Sequence, residues 1–316
     1  MSEEISLVTI GIPTYNRSKY LREALESALN QTYPNIEIIV SDNASTDDTQ
    51  EMMKQYISNP KVKYFRQKEN IGVPGNWNTC LNMARGKYFL LLSDDDVLEK
   101  EAIEVLVSKF QDERVVMAYC GHVYIDEYGK VKEDKNNRWT PQILESGNKF
   151  IIKRLKYKSG GYPSSELFIA DILKKYGGYP LNTLGAADLA TELIFGSEGY
   201  ISFDNRRLLK YRRHENNLSQ NLSYMFKAIM EVYEFVQKTD KLKKYVRKMR
   251  LLCSVPFYKY ARHEILRGRM NNPNTLEVLE YLKTLRYKYR RLSLYNLKWI
   301  QKLAKFRRII IKINEN

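Results

Sequence analysis

Residues 7–42 read LVTIGIPTYNRSKYLREALESALNQTYPNIEIIVSD, and the fold follows from this stretch. Leu7 to Ile12 is a short apolar run stopped by Pro13. Ser18 can cap the helix that follows, whose apolar positions Leu21, Leu25 and Leu29 recur every four residues, and the turn at Tyr33-Pro34-Asn35 closes it. Ile36 to Ser41 is a second apolar run. Strand, helix and strand in this order predict a parallel pair with a helix laid across it.

Outward from that unit the pattern continues. Ser45-Thr46-Asp47-Asp48 opens a second helix, with a hydroxyl cap and acidic residues at the positive end of the dipole. Val62 to Phe65 reads as a third strand, Asn76 to Ala84 as a helix ended by Gly86, and Tyr88 to Leu92 as a strand apolar enough to be buried on both faces. A helix at about 99–110 precedes a strand at Val115 to Ile125, which turns through Asp126-Glu127-Tyr128-Gly129 into Lys130 to Lys132, so the sheet becomes mixed. Residues 132–164 are polar and uneven, the usual composition of a lid over an acceptor. From Glu166 come a strand, a helix, a Gly177-Gly178 break, a helix near Ala187 to Gly196, and strands near Tyr200 to Phe203 and Leu208 to Tyr211. The expected class is α/β, a Rossmann-like mixed sheet flanked by helices.

The 316 residues carry a formal charge of +15, which taken alone nominates nucleic acid or an anionic membrane as partner. Residues 221–316 hold 23 Lys and Arg against 7 Asp and Glu, a net of +16, while residues 1–220 hold 29 against 30, a net of −1. The basic excess belongs to the last third. A near-neutral body with a basic tail is not the even footprint of a nucleic-acid-binding domain. Residue 220 is the working boundary between the near-neutral body and a basic helical region. Three cysteines far apart, with no paired or metal-binding spacing, point to a reducing compartment. The acidic start and the lack of ~18 consecutive apolar residues predict a cytoplasmic protein, soluble or peripheral on the inner face of a membrane.

Ligands of open α/β sheets bind at the carboxyl ends of the strands. Here those ends carry Pro13-Thr14-Tyr15-Asn16-Arg17, Ser41-Asp42-Asn43 and Ser93-Asp94-Asp95-Asp96, and neither GxGxxG nor a P-loop is present. Three consecutive aspartates repel one another and call for a positive partner. Hard oxygen ligands favour Mg²⁺ or Mn²⁺, completed by waters and phosphates. The plainer alternative is that they cap the helix beginning near Glu99, Asp96 above all.

The stretches VTIGIPTYNRSKYLREALESALNQTYPNIEIIVSDNASTDDT, ENIGVPGNWNTCLNMARGKYFLLLSDDDVL, GAADLATELIFGSEGY and LLKYRRHENNLS together resemble the inverting, nucleotide-sugar-dependent glycosyltransferases of family 2, with the GT-A fold. They cover most of residues 5–220, with nucleotide-sugar binding expected in about 1–125 and the acceptor side in about 126–220. The resemblance implies that Pro13, Tyr15 and Arg17 line the nucleotide pocket, that Asp42 reads the nucleobase, usually uracil, and that Asn70, Gly72 and Asn76 pass beside base and ribose. Asn43 replaces a second acid often found there. Ser93-Asp94-Asp95 stands in the place of the DxD signature, making Asp95 the metal ligand and placing Asp94 toward ribose or donor sugar. Asp188 stands where the family has its catalytic base, with Ala187 replacing the acid usually before it. Glu192, one turn on, is the rival base. Arg212 and His214 resemble the late element that closes over the diphosphate, the histidine as a metal ligand. The implied donor is a UDP-sugar, the cofactor Mn²⁺ or Mg²⁺, and the acceptor a glycan, glycoprotein or lipid-linked glycan.

Competing readings are a nucleotidylyltransferase, which would show a Gly-rich basic loop after strand one, and a non-catalytic assembly subunit. Asp47 and Asp48 read as helix N-terminal charges, His122, His263 and the cysteines as structural, Trp77 as core, and Trp139 as a candidate to stack on a sugar. In the tail, Leu294, Leu297, Ile300, Leu303 and Phe306 recur every three residues, with Lys298, Lys302 and Lys305 between them. Such a helix suits an anionic membrane, each basic residue contributing about 1 kcal/mol, or the face of a second copy of the chain. Full-length protein is expected to co-sediment with anionic liposomes and a chain ended at residue 220 to stay in solution. Equal sedimentation of the two would assign the charge to a solvated assembly surface.

Overall fold

The structure is a computed structural model that describes residues 5–132, 144–155, 160–181, 186–213, 222–246 and 249. In chain order the elements are β1 (Val8–Thr14), α1 (Ser18–Leu29), β2 (Ile36–Asp42), α2 (Thr49–Met53), β3 (Val62–Arg66), α3 (Val73–Met83), β4 (Tyr88–Leu91), β5 (Val97–Leu98), α4 (Ala102–Ser108), β6 (Val115–Ile125), β7 (Val131–Lys132), β8 (Leu144–Ser146), α5 (Gly147–Arg154), β9 (Glu166–Ile169), α6 (Ala170–Lys175), α7 (Ala187–Glu198), β10 (Tyr200–Arg212) and α8 (Leu222–Lys238). Three short 3₁₀ turns, Lys109–Gln111, Pro163–Ser165 and Asp240–Tyr245, complete the described chain.

The strands form one mixed sheet in the order β3-β2-β1-β4-β9-β6-β10-β5, with β7 added to β6 and β8 to β10. Strands β3, β2, β1 and β4 run parallel, as the sequence predicts. β9 runs antiparallel between β4 and β6, and β6 pairs with β10 in parallel. Alternation along each strand divides the core between two faces. Val8, Ile10 and Ile12 of β1 join Tyr88 and Leu90 of β4 beneath α1, α2 and α4; Phe89 and Leu91 join Cys80, Phe168 and Phe195 on the other. Gly11 points to this second face, where a Cβ would lie 2.7 Å from Cys80 and 2.8 Å from the Phe89 ring. Its bare backbone is what lets α3 seat against β1.

Element types follow the sequence and several edges do not. The two late strands are a single strand, β10, which absorbs register shifts near Asp204 and Arg207 against β6. The third helix starts at Val73, three residues early, because Gly72 takes φ 78° and Pro74 fills the first turn. The fourth does not begin near Glu99: the two-residue strand β5 comes first, and α4 starts at Ala102. Ser18 is the first helical residue of α1, and Asp47 caps that helix from the neighbouring loop by accepting the Ser18 N–H at 3.1 Å. The same carboxylate accepts the Thr49 N–H and hydroxyl, so it serves two helix starts, in keeping with its reading as a helix N-terminal charge.

Residues 1–253 form one compact unit and 254–316 a second, of which no residue is described. Within the first unit, Val232 and Val236 of α8 are buried, as are Leu242, Tyr245 and Met249. Lys241 pairs with Glu198 of α7 at 2.7 Å, and the Tyr245 hydroxyl donates to Asn148 of α5 at 2.5 Å. The periodic stretch Leu294 to Phe306, Cys253, His263, Trp139 and residues 133–143 and 156–159 of the polar 132–164 segment lie outside the described residues. No helix among the described residues is long and apolar enough to cross a membrane.

A chain ended at residue 220 loses the burial of Val232, Val236 and Leu242, each contributing about 1.5–3 kcal/mol. Its thermal midpoint is expected to fall on the order of 10 °C below that of a chain ended at residue 253, measured by circular dichroism. The 253 end point is therefore the sounder truncation for the liposome comparison.

Candidate active site

The loops after β1 and β2 are laced together. Asn16 takes a left-handed φ of 54°, which asparagine tolerates, and its N–H donates to the Ser45 hydroxyl at 2.9 Å while its Oδ1 accepts the Thr46 N–H at 2.7 Å. The Asn43 N–H donates to the Thr14 carbonyl at 2.9 Å. This bracing leaves Tyr15 exposed, Pro13 buried and the Arg17 side chain 30% exposed above the end of β4.

Asp42, expected to face a nucleobase, is instead fully buried and turned inward. Its oxygens accept the Ser45 N–H at 2.8 Å and the Tyr64 hydroxyl at 2.6 Å, with Arg66 at 3.5 Å. Burial of a carboxylate requires such donors, and they occupy it in this arrangement. Asn43 donates to Asn70 Oδ1 at 2.9 Å and to the Gly72 carbonyl at 3.4 Å, while accepting the Ile71 N–H at 2.9 Å. An aspartate there would have no hydrogen to give, which accounts physically for the amide. Asn76, also buried, accepts the Ser41 hydroxyl at 2.6 Å and donates to the Ser41 carbonyl at 2.9 Å, tying α3 to β2. Asn70 and Gly72 are exposed beside this lattice.

Beyond β4 the three aspartates part company. Asp94 accepts the Thr14 hydroxyl at 2.7 Å and Arg17 Nη1 at 3.1 Å; Asp95 accepts the same nitrogen at 2.9 Å. Asp96 accepts the Ser164 hydroxyl at 2.6 Å and the Arg212 N–H at 2.9 Å. It caps no helix, because a hydroxyl from the 3₁₀ turn before β9 and a backbone N–H at the end of β10 claim it. Burial, with the charge of Asp95, pushes Asp94 up to about 6 against the opposing pull of Arg17. Burial pushes Asp96 well above the usual carboxylate range.

Arg212, expected at the diphosphate, is 1% exposed. Its guanidinium donates to the Asp95 carbonyl at 2.8 Å, to the Asp126 and Glu127 carbonyls at 3.2 Å, and to Glu23 of α1 at 2.6 Å, under the Tyr20 ring. Its planar fork braces the aspartate loop from behind. His214 lies outside the described residues. Among the described residues no three His, Cys, Asp or Glu side chains gather around a metal position. Two carboxylate oxygens nevertheless converge on one cationic nitrogen. That donor set fits a hard divalent ion whose remaining ligands come from phosphates and water.

A second acidic cluster, holding both base candidates, is built on α7. Asp188 sits in its first turn, half-buried, with Oδ1 accepting the Leu189 N–H at 2.7 Å. Burial raises its pKa, and Arg154 opposes the rise. Ala187, where the family has an acid, is fully buried in the second core cluster. Glu192 is also fully buried and ion-paired to Arg154 Nε. Its Oε1 shares the Gly161 N–H with Glu166 Oε1, each at 3.2 Å. Burial and the neighbouring charge of Asp188 push Glu192 up to about 7, partly offset by Arg154, and burial pushes Glu166 well above its usual range. Burial thus biases both glutamates toward their neutral forms. Of the two base candidates, Asp188 has access to solvent and Glu192 does not.

Thr14 and Glu23 are not legible as site residues in the sequence; Arg154 falls in the 132–164 segment and Ser164 and Glu166 in the Ser164 to Leu167 stretch where acceptor specificity is expected, with no chemical role readable for any of them. Cys80 and Cys120 are buried with thiols pushed up to about 12, and Trp77 packs edge-on against Tyr179, all as structural residues. His122 lies among the rings of Tyr124 and Tyr162.

Because burial raises Glu192 to about 7 in the folded chain against an ordinary 4.5, folding takes up protons between about pH 4.5 and 7. The pair therefore stabilises less as pH rises through that window. Glu166→Gln removes one of the two raised carboxyls. The fall in urea midpoint from pH 5 to pH 8 is expected to be smaller in that variant than in the wild type.

A family model described as glycosyl transferase family 2 matches residues 9–176. A chondroitin synthase of Escherichia coli is 37% identical over 131 residues, which are 41% of this chain and 19% of that protein. The chain spans well under half the length of the curated relatives it matches. Among solved structures, S. aureus TarS 1–349 in complex with UDP aligns with a TM-score of 0.60 at 17% identity, covering 85% of this chain and 73% of that one. The mannosyltransferase PcManGT from Pyrobaculum calidifontis, in complex with GDP-Man and Mn²⁺, aligns at 0.60 and 17%, covering 92% and 84%. Both likenesses are of fold, the GT-A architecture that the sheet order displays. With a family match over more than half of its 316 residues, the chain belongs to glycosyl transferase family 2.

Proposed function

We propose that the protein transfers a sugar from a nucleoside diphosphate sugar, in the first place a UDP-sugar, to a hydroxyl of a glycan acceptor, with inversion at the anomeric carbon. The observation that carries this reading is the Arg17, Asp94 and Asp95 cluster at the carboxyl edge of the parallel strands. Asp188 stands on the helix that the Gly161–Glu166 segment ties to the same edge. TarS binding UDP supports uridine, PcManGT binding GDP-Man keeps guanosine as the other base to be tried, and the chondroitin synthase supports a polysaccharide acceptor.

In this reading Asp188 accepts the proton of the acceptor hydroxyl as its oxygen attacks C1. The C1–O bond to the diphosphate breaks on the opposite face, and the nucleoside diphosphate leaves with the electron pair. One displacement inverts the centre, and no covalent enzyme intermediate is needed. Asp94 and Asp95 would hold a Mn²⁺ or Mg²⁺ ion, which when bound neutralises charge on the leaving diphosphate. Thr14 orients Asp94, Arg212 fixes the Asp95 backbone, and the charge of Arg154 opposes the rise that burial imposes on Asp188. Residues 221–316 are the segment proposed to meet an anionic membrane surface or a second copy of the chain.

Asp188→Asn is expected to lower turnover of a UDP-sugar panel by ~10²- to 10⁴-fold, followed as UDP release, while calorimetry finds UDP affinity unchanged. Near-normal turnover would remove Asp188 as the base. Asp95→Ala is expected to abolish the Mn²⁺-dependent part of UDP binding, and unchanged affinity with metal present would withdraw that ligand.

A further inference from the structure

One nitrogen, Arg17 Nη1, bridges Asp94 Oδ1 at 3.1 Å and Asp95 Oδ2 at 2.9 Å, so a guanidinium stands where the donor reading requires a divalent ion. The two carboxylates are 7% and 8% exposed at the side chain and the arginine 30%. It is the outermost member of the cluster. Its backbone is held without help from its side chain: Asn16 is pinned to Ser45 and Thr46, and the Arg17 carbonyl accepts the Leu21 N–H at 2.9 Å as α1 begins. The side chain can therefore swing away while the chain stays in place. It cannot do so alone, because two adjacent buried carboxylates left without a cation repel each other at a cost of several kcal/mol.

We propose that Arg17 is an exchangeable counter-ion, competing with the divalent cation for the same two carboxylate oxygens. It holds them in the nucleotide-free protein and passes to the diphosphate when nucleotide and cation arrive together. The inference rests on the donor-site reading above. Its consequence is ordered loading: cation binds poorly before nucleotide, and by linkage each tightens the other by the same factor. The bare cluster is thereby kept from collecting ions that carry no substrate.

The test is a titration of the full-length chain with Mn²⁺, free ion being read by electron paramagnetic resonance, with and without saturating UDP. Wild type, Arg17→Met, Arg17→Lys and Arg22→Met are compared. Without UDP, Arg17→Met is expected to bind Mn²⁺ about tenfold or more tightly than wild type, the size of effect one neighbouring charge has on a carboxylate. Arg17→Lys, which keeps a positive charge, stays near wild type. Arg22→Met removes the same charge from α1, where Arg22 bonds Gln55 and Tyr56 instead, and is expected to stay within about twofold. The factor by which UDP tightens Mn²⁺ should shrink in Arg17→Met. Exchange is overturned if Arg17→Met shows no gain without UDP, or if Arg22→Met gains as much, while all four proteins bind Mn²⁺ with UDP. Absence of Mn²⁺ binding by every protein even with UDP overturns the metal reading itself, and the exchange with it.

Discussion

Three consecutive carboxylates stand at the end of β4, none more than 6% exposed, and their desolvation and mutual repulsion would cost several kcal/mol if nothing met them. The donors that meet them come from places far apart in the chain. Thr14 ends β1 and Arg17 follows it, Ser164 precedes β9, and Arg212 ends β10. The strand order β1-β4-β9-β6-β10 is what brings these termini to one edge. Sheet topology and site electrostatics are thus one problem here, since the aspartates are tolerable only in a sheet that delivers those partners.

Legibility in the sequence follows the range of the interactions. The strand-helix-strand unit of residues 7–42 declares itself through local periodicity, and the apolar run at Tyr88 to Leu92 through burial on both faces, so the parallel half was readable. Aspartates after such a run, and an acid opening α7, were readable as chemistry because a charge placed beside a core needs a reason. What could not be read is which polar group each one meets. Asp42 and Asn43 look alike in sequence, yet one closes a turn with Ser45 and Tyr64 while the other spans to Asn70 and Gly72. Arg212 looked like a phosphate ligand because an arginine's charge is visible in a sequence and its burial is not. The starts of α3 and α4 were missed for a local reason, Gly72 with Pro74 in one case and the insertion of β5 in the other.

The acidic cluster on α7 shows how an acid can be absent at one position without leaving a hole in the electrostatics. Ala187 lies in the core, and the acids of this region stand one turn later at Glu192 and across the gap at Glu166, joined to Arg154 and the Gly161 N–H. Burying two glutamates beside Asp188 is sustainable because Arg154 pairs with Glu192, the Gly161 N–H serves both, and burial favours their neutral forms. The arrangement separates two tasks. Glu192 anchors the arginine, and Asp188 keeps its access to solvent.

Ser164 closes the circuit between the two sides. Its hydroxyl donates to Asp96 and accepts the Ser93 N–H at 3.0 Å, while three residues earlier Gly161 donates to both glutamates. Six residues, Gly161 to Glu166, are therefore claimed at both ends. Insertions or deletions there would unlatch Asp96 and Glu192 together, so one short turn carries the coupling between the aspartate loop and α7.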